Sequence, residues 1–474
     1  MRGGSHPRSL PPGGPTVAHP SRRPRRRRPR AVGASLLAAS LALTALVSSG
    51  PLGSFTASAD GTVPPTDATA VPLPSHDPFY RYQGETPLRE VPRGTILAQR
   101  AVTLSAFGVV GTPVEAEQLL YRTQDQRRRP SVGVTTVLTP SAPATATVAY
   151  LSFYDALGDQ CSPSYTLRGG DAGTDSANQT AQIEEGLVAE LLAQGYAVTV
   201  PDFEGVHQHW VAGQESGWST LDSVRATSTF LAADPLTTPL TDQVGLYGYS
   251  GGSIAGEWAA ELAPRYAPEI DLAGAALGGL PVHLAHNLEY VNGSEDWSGV
   301  IPAVLVSLGR AFGVPMRKYE SAYGRRVHRE VHDQCIGSFN GNYPGLTVQQ
   351  LLKPRYADFL GVPVFARIVN RLIMGSTPGD PETPMMLAVG DHDGTGDDVM
   401  VVADVGALAR EYCDAGLEVR YRVYASSDHS QAGLQFFEQG MEFLAERFAG
   451  LPVADSCVGV PEGGSLDPVP VERG

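Results

Sequence analysis

The segment QVGLYGYSGGSIAGEWAAELA, residues 243–263, constrains the fold more than any other part of the chain. It places Ser250 between Gly248 and Gly252, after an apolar run and before a helical pattern. A strand–turn–helix junction of this kind leaves no room for side chains two residues before and after the serine, and it lifts the hydroxyl above the sheet at a helix N-terminus. A bare G-x-S-x-G pattern arises by chance in a chain with 53 glycines, but the flanking strand and helix do not. The sequence therefore predicts a nucleophile elbow with Ser250 as the nucleophile.

Apolar periodicity predicts alternating strands and helices around this junction. Strands are predicted at 145–153, 196–200, 243–247, 271–277, 385–389 and 418–424, and helices at 180–194 and 219–233. Strands separated by helices imply a parallel sheet that is covered on both faces. Together with the elbow, the pattern predicts an α/β-hydrolase fold with a mostly parallel central sheet covered by helices. Its two parts are residues 77–282 and 383–450.

Residues 283–382 interrupt this alternation. The helical segments IPAVLVSLGRAF and VQQLLKPRYADFL occur there without an obvious strand between them. We expect a helical cap inserted over the sheet, because a cap is where such an enzyme would build its substrate pocket. The alternative is that these helices belong to the main layers.

The first 59 residues differ from the rest of the chain. Residues 22–30 read RRPRRRRPR, residues 31–47 are mostly apolar, and the small residues 57–59 follow. This order predicts an export signal that is removed from a secreted mature protein. The alternative is a helix that stays in the membrane as an anchor, although its apolar run is barely long enough to span. Residues 60–76 are predicted to be a flexible linker, and residues 451–474 a C-terminal tail.

Charge and cysteine content restrict the partners. Residues 1–59 hold nine arginines and no acidic residue, so the remainder has 26 basic and 50 acidic residues, a formal charge of −24. Nucleic acid is therefore excluded as a partner, because neutralising phosphates requires positive charge. Four cysteines, an even number, favour two disulfides in an exported chain, with three pairings open. No two of them lie close together with a histidine at zinc-ligand spacing, so no metal site is expected.

A histidine must activate the serine, because a serine alkoxide does not form unaided at neutral pH. Of the eleven histidines, only His392 and His429 lie in the last quarter of the chain, where this fold keeps its base. His429 stands just after the strand predicted at 418–424 and just before a helical pattern. That position is at the carboxyl edge of the sheet, so His429 is the predicted base.

The triad acid has more than one candidate. Four aspartates crowd the loop after the strand predicted at 385–389, namely Asp391, Asp393, Asp397 and Asp398. A tight turn directly off the strand favours Asp393, whereas Asp397 stands next to an apolar run, which would hold it rigidly. The residues alone leave both open.

Short motifs accompany the elbow in a fixed order: DPFY at 77–80, LYRT at 120–123, TTVLTP at 135–140, YDA at 154–156 and PSY at 163–165. In this succession the chain, from about residue 77 to residue 448, resembles the secretory lipase family of fungi and actinobacteria, the group that includes yeast lipase A. Aligning Asp397 with the family's triad aspartate keeps Cys413 and His429 in register, so the resemblance implies Asp397 as the acid. The chain departs from the family in lacking a proline after that aspartate and in its longer loop.

The resemblance also implies an oxyanion hole formed by Asp155 and the backbone amide of Gly251. A carboxylate donates no hydrogen bond, so we expect either the backbone amide of Asp155 to donate or its side chain to have a raised pKa. The alternative is that Asp155 only caps a turn. By the same resemblance, a Cys161–Cys335 disulfide ties the oxyanion loop to the cap, which leaves Cys413 and Cys457 to pin the tail.

The function implied by the resemblance is that of a triacylglycerol lipase acting through an acyl-enzyme on acylglycerols at a lipid–water interface, without metal or cofactor. Fold alone does not establish this activity, because related scaffolds serve other hydrolases. The alternatives are a soluble short-chain carboxylesterase and a catalytically silent binding protein. The silent protein would be expected to have lost a triad member.

Overall fold

A nine-stranded mixed sheet forms the centre of the protein. The computed structural model describes residues 71–106, 110–170 and 175–471, so the predicted export signal and the first part of the predicted linker lie outside the described residues. The strands are β1 Ile96–Ala106, β2 Val110–Gln124, β3 Pro130–Thr139, β4 Thr147–Leu151, β5 Ala197–Pro201, β6 Val244–Tyr249, β7 Leu272–Gly278, β8 Met385–Asp391 and β9 Val419–Ala425. Their spatial order is β1-β2-β3-β5-β4-β6-β7-β8-β9.

The sheet is parallel from β5 to β9, and β1, β2 and β3 are added antiparallel at one edge. The mostly parallel α/β-hydrolase sheet is therefore confirmed. Six predicted strands correspond to β4 through β9 within a few residues, whereas the three antiparallel strands were not predicted.

Twelve α-helices surround the sheet in the described part of the chain. They are α1 Pro163–Thr166, α2 Asp175–Ala193, α3 Gly213–Leu231, α4 Gly251–Tyr266, α5 Leu284–Tyr290, α6 Val300–Phe312, α7 Ala322–Val331, α8 Ile336–Phe339, α9 Val348–Leu351, α10 Pro363–Asn370, α11 Val402–Asp414 and α12 His429–Phe448. Helices α3, α4 and α11 pack on one face of the sheet, and α2 and α12 pack on the other.

Strand β8 shows why both faces are covered. Met385, Leu387 and Val389 join the core on the side of α4 and α11, whereas Met386 and Ala388 join the core under α12. Successive side chains of a strand point to opposite faces, so a continuous apolar run needs an apolar layer on each side. Burying each large side chain stabilises the fold by roughly 1.5–3 kcal/mol.

Helix α3 begins six residues before its predicted start at residue 219. The added turns contain Gly213 and Gly217, which disfavour a helix by composition alone. Both glycines face Trp258 of α4, and a Cβ at Gly217 would lie 2.7 Å from the Trp258 carbonyl carbon. Close packing of α3 on α4 thus requires the residues that obscured the start of the helix.

Residues 283–382, called the cap segment below, lie between β7 and β8. They contain α5 to α10 and, among the described residues, no strand of the sheet. Helix α6 packs against α7, α8 and α9, and its apolar side chains join the core beneath it. At the described end of the predicted linker, Pro74–His76 forms a 3-10 turn with Pro74 buried. In the tail, Val469 exchanges two hydrogen bonds with Asn370 of α10.

In the part of the chain that the structure describes, every helix is too short or too polar to cross a bilayer. The segment for which an anchor was considered, residues 31–47, lies outside that part.

Candidate active site

Ser250 occupies the tight junction between β6 and α4. Its backbone has φ 53° and ψ −122°, a conformation that non-glycine residues rarely adopt and that is typical of a nucleophile elbow. A Cβ at Gly248 would lie 2.5 Å from the Gly252 carbonyl oxygen, and one at Gly252 would lie 1.9 Å from the Leu151 carbonyl oxygen. Glycine is therefore a steric requirement at both positions.

The predicted base, His429, contacts both Ser250 and one of the candidate acids, Asp397. The Nε2 atom of His429 lies 2.9 Å from Ser250 Oγ, and its Nδ1 atom lies 2.9 Å from Asp397 Oδ2. The three residues come from the ends of β6, β8 and β9, which are neighbours of β7 or of each other in the parallel part of the sheet. Strands that run in one direction bring their carboxyl ends to one edge, which explains how residues 179 positions apart meet.

Asp397, and not Asp393, contacts the imidazole. Asp397 is fully buried, and its Oδ1 accepts hydrogen bonds from the backbone amides of Val399 and Met400 at 3.2 and 2.7 Å. Asp393 is exposed, and its carboxylate accepts backbone amides within its own turn. The buried carboxylate thus has a donor for each oxygen, and its orientation is fixed.

His429 is held by its neighbours as well as by the acid. It is the first residue of α12, which begins there because Asp428 and Gln431 bond each other's backbone amides as a capping box. The Tyr249 ring lies 5.1 Å from the imidazole, and Trp297 of the cap segment meets it edge-to-face at 5.3 Å. Burial by itself would lower the pKa of His429, but the charge and hydrogen bond of Asp397 outweigh burial and raise that pKa.

Asp155 and Gly251, the predicted oxyanion-hole residues, lie against each other and line the same cavity as Ser250. Gly251 is the first residue of α4, so its amide has no partner inside the helix. Asp155 is buried, and its Oδ1 accepts a hydrogen bond of 2.8 Å from Trp210 Nε1. Burial raises the pKa of Asp155 to about 6, although the Trp210 hydrogen bond and the charge of His429 lower it. A raised pKa was one of the two expectations for this residue.

A cavity of about 60 Å³ adjoins Ser250. Its polar lining comes from Asp155, Ser250 and Asn287. The remaining lining is apolar and includes Trp297, Val300 and Val304 of the cap segment. The cavity is therefore mainly apolar apart from these three side chains.

Two disulfides join the pairs that the resemblance implied, Cys161–Cys335 and Cys413–Cys457. Next to the first, the Leu157 amide donates to the Gln334 carbonyl, and Ala156 forms an isolated bridge with Cys335. The strap of chain that follows Asp155, residues 156–161, is thus attached to the cap segment by covalent and backbone contacts.

The sequence analysis did not identify four residues at this site. Three of them, Trp210, Tyr249 and Trp297, are described above, and the fourth is Glu204, whose carboxyl group accepts the backbone amide of Ala156 at 3.2 Å. Glu204 and Trp210 follow the carboxyl end of β5, a position that itself marks candidate site residues in a parallel sheet. Tyr249 and Trp297 carry no comparable signal, because their contacts with His429 depend on packing across long separations.

Comparisons with known proteins point to one family. A family model described as secretory lipase matches residues 172–456. A Mycobacterium tuberculosis protein named as a probable inactive lipase is 32% identical over 81% of this chain and 85% of its own length. A secreted triacylglycerol lipase of Malassezia globosa is 31% identical over 81% and 83%. Candida antarctica lipase A in its closed state is 25% identical with a TM-score of 0.72, covering 83% of this chain and 91% of that one.

Proposed function

The chain belongs to the secretory lipase family, and we propose that it is a secreted serine esterase whose most favoured substrates are triacylglycerols. The observation that carries the proposal is the unbroken line from Ser250 Oγ through His429 to Asp397, with both contacts at 2.9 Å. The two disulfides and the secreted relatives support an extracellular location.

The proposed reaction is acyl transfer through the serine. His429 takes the hydroxyl proton as Ser250 attacks the ester carbonyl, and Asp397 stabilises the imidazolium that results. The Gly251 amide and Asp155 stabilise the negative charge on the carbonyl oxygen. His429 then returns the proton to the leaving alcohol, and water repeats the sequence on the acyl-enzyme.

The apolar cavity supports an acyl chain as the part of the substrate that binds there. At about 60 Å³ it is smaller than the roughly 300 Å³ or more of most ligand pockets, so a long acyl chain requires the cap to shift. A soluble short-chain carboxylesterase is the second candidate, and the small cavity favours it.

The decisive experiment compares Ser250→Ala with Ser223→Ala on a dissolved chromogenic butyrate ester. Ser223 is a buried serine of α3 whose hydroxyl donates to the Thr220 carbonyl, so its variant removes a hydroxyl outside the cavity. We expect Ser250→Ala to lose on the order of 10⁶-fold in kcat with an unchanged melting temperature, and Ser223→Ala to stay within twofold. Activity retained by Ser250→Ala would contradict the proposal and would favour a silent scaffold, as the name of the mycobacterial relative suggests for that protein.

Substrate class is tested with a series from dissolved tributyrin to emulsified triolein. A lipase should turn over faster once the substrate forms droplets and should hydrolyse triolein. Rates confined to dissolved short-chain esters would establish the carboxylesterase instead.

A further inference from the structure

Trp210 contacts Asp155, one of the two proposed oxyanion donors, but the proposed reaction gives Trp210 itself no role. Its indole is buried and lines the same cavity as Ser250 and Gly251. The Nε1 atom donates to Asp155 Oδ1 at 2.8 Å. An indole N–H can only donate, so the oxygen that it contacts must act as an acceptor.

The position of the Asp155 carboxyl group is tightly defined. Asp155 has φ 35°, in the left-handed region that side chains other than glycine avoid, and the next amide, of Ala156, donates to the Glu204 carboxyl at 3.2 Å. A Cβ at Gly251 would lie 1.6 Å from Asp155 Oδ1 and 3.0 Å from Oδ2. The carboxyl group therefore lies directly over Gly251, whose amide is the other proposed oxyanion donor.

We propose that Trp210 is a positioning residue that holds Asp155 Oδ1 as an acceptor, so that Oδ2 carries the acid proton and donates it to the substrate oxyanion beside the Gly251 amide. The inference rests on the proposed function. It assigns the donating oxygen of Asp155, and it makes oxyanion stabilisation depend on the protonation of that carboxyl group.

The charges around Asp155 give this arrangement a pH dependence. The titratable groups that face it are His429 of α12, Glu204 after β5 and Glu184 of α2. With a pKa near 6, Asp155 donates only on the acid side and repels the oxyanion once ionised. His429 must be neutral to act as a base and Asp155 must be protonated to donate, so kcat passes through a maximum midway between their two pKa values. The decline above that maximum requires a carboxyl group at Asp155 that can ionise.

The indole ring is fixed independently of its N–H group. It packs against Phe339 with ring centroids 5.6 Å apart, and the Ser307 hydroxyl donates to the Trp210 carbonyl. Trp210→Phe therefore removes the hydrogen bond and keeps most of the packing. Trp218→Phe is a matched control, because Trp218 is a buried indole of α3 next to Tyr266 and outside the cavity.

The test measures kcat and KM for a dissolved chromogenic ester from pH 5 to 9. For Trp210→Phe we expect the maximal kcat to fall about tenfold with KM nearly unchanged. The pH of maximal kcat should move to higher pH, because the lost hydrogen bond favoured the ionised carboxyl group. Trp218→Phe should keep the wild-type profile. A wild-type profile in Trp210→Phe, or a lower kcat with an unmoved pH optimum, would overturn the inference.

Asp155→Asn gives a second measurement that does not depend on the folding of Trp210→Phe. Its amide can accept from Trp210 with Oδ1 and donate with Nδ2 at every pH. It should therefore lose less activity than Asp155→Ala and lack the alkaline decline, and adding Trp210→Phe should lower its kcat further. An alkaline decline that persists in Asp155→Asn would overturn the inference. These results are separate from those of Ser250→Ala, whose failure would sink the proposed function itself.

Discussion

Two buried aspartates flank Ser250, and their surroundings differ. Asp397 has donors on both oxygens, namely two backbone amides on Oδ1 and the imidazole on Oδ2. Asp155 has the single indole donor of Trp210 and a pKa raised to about 6 by burial. Burial disfavours a charged carboxylate, and hydrogen bonds to its oxygens compensate. The proposed roles differ in the same direction, because Asp397 is proposed to stabilise a positive imidazolium and Asp155 a negative oxyanion.

The largest effect should come from removing the charge at Asp397. Asp397→Asn keeps the shape of the side chain but cannot stabilise the imidazolium, and it favours the wrong histidine tautomer. We expect kcat to fall on the order of 10⁴-fold. Steady-state kinetics on a dissolved ester would check this, and a loss below tenfold would mean that another group orients His429.

Removing Asp155 should cost less. Asp155→Ala deletes one of the two proposed oxyanion donors and leaves the Gly251 amide, so we expect a loss on the order of 10²-fold in kcat with little change in KM. A loss as large as that of Asp397→Asn would erase the distinction between the two residues.

The raised pKa of Asp155 should also make the free energy of unfolding depend on pH. Asp155 ionises near pH 4 when unfolded and near pH 6 when folded, so its ionisation destabilises the native state as the pH rises through that window. An asparagine at this position does not ionise, so the Asp155→Asn variant is not destabilised in this way. Its unfolding free energy relative to wild type should therefore increase by about 2–3 kcal/mol between pH 4 and pH 7. Urea unfolding at both pH values measures the change, and a constant difference would place the folded pKa near its ordinary value.

The smallest effect should come from Asp393. Its carboxylate is exposed and accepts from the amides of its own turn and from the Tyr290 hydroxyl, without touching His429, so we expect Asp393→Asn to keep kcat and the pH profile within about twofold of wild type. The same kinetic assay applies. A loss comparable with that of Asp397→Asn would make Asp393 the triad acid.

The fold and the line of contacts at Ser250 were accessible from the sequence because both depend on local signals and chain order. The elbow glycines report a steric requirement, and the last histidine after the last strand of a parallel sheet has few other places to lie. The residues alone left Asp393 and Asp397 open, because the difference between them is burial. The contact between Asp155 and Trp210 joins residues 55 positions apart and leaves no local pattern.

Strands β1 to β3 were missed for a related reason. Their interior-facing positions include Gln118, Thr135 and Thr136, which are fully buried but polar, so the apolar alternation fails. These side chains are satisfied by partners elsewhere: Gln118 donates to the Ser164 carbonyl, and Thr135 bonds Thr199 of β5. A buried polar group is stable once paired, and the pairing is visible only in three dimensions.

The bridge between Cys161 and Cys335 restricts how the molecule can admit a bulky lipid. Residues 333–335 cannot separate from the strap that positions Asp155 without breaking a covalent bond. If residues 283–382 move to admit a lipid, they must pivot about this fixed point. Such a movement would widen the entrance without displacing Asp155, and a thiol reductant would remove the covalent attachment between residues 333–335 and the strap.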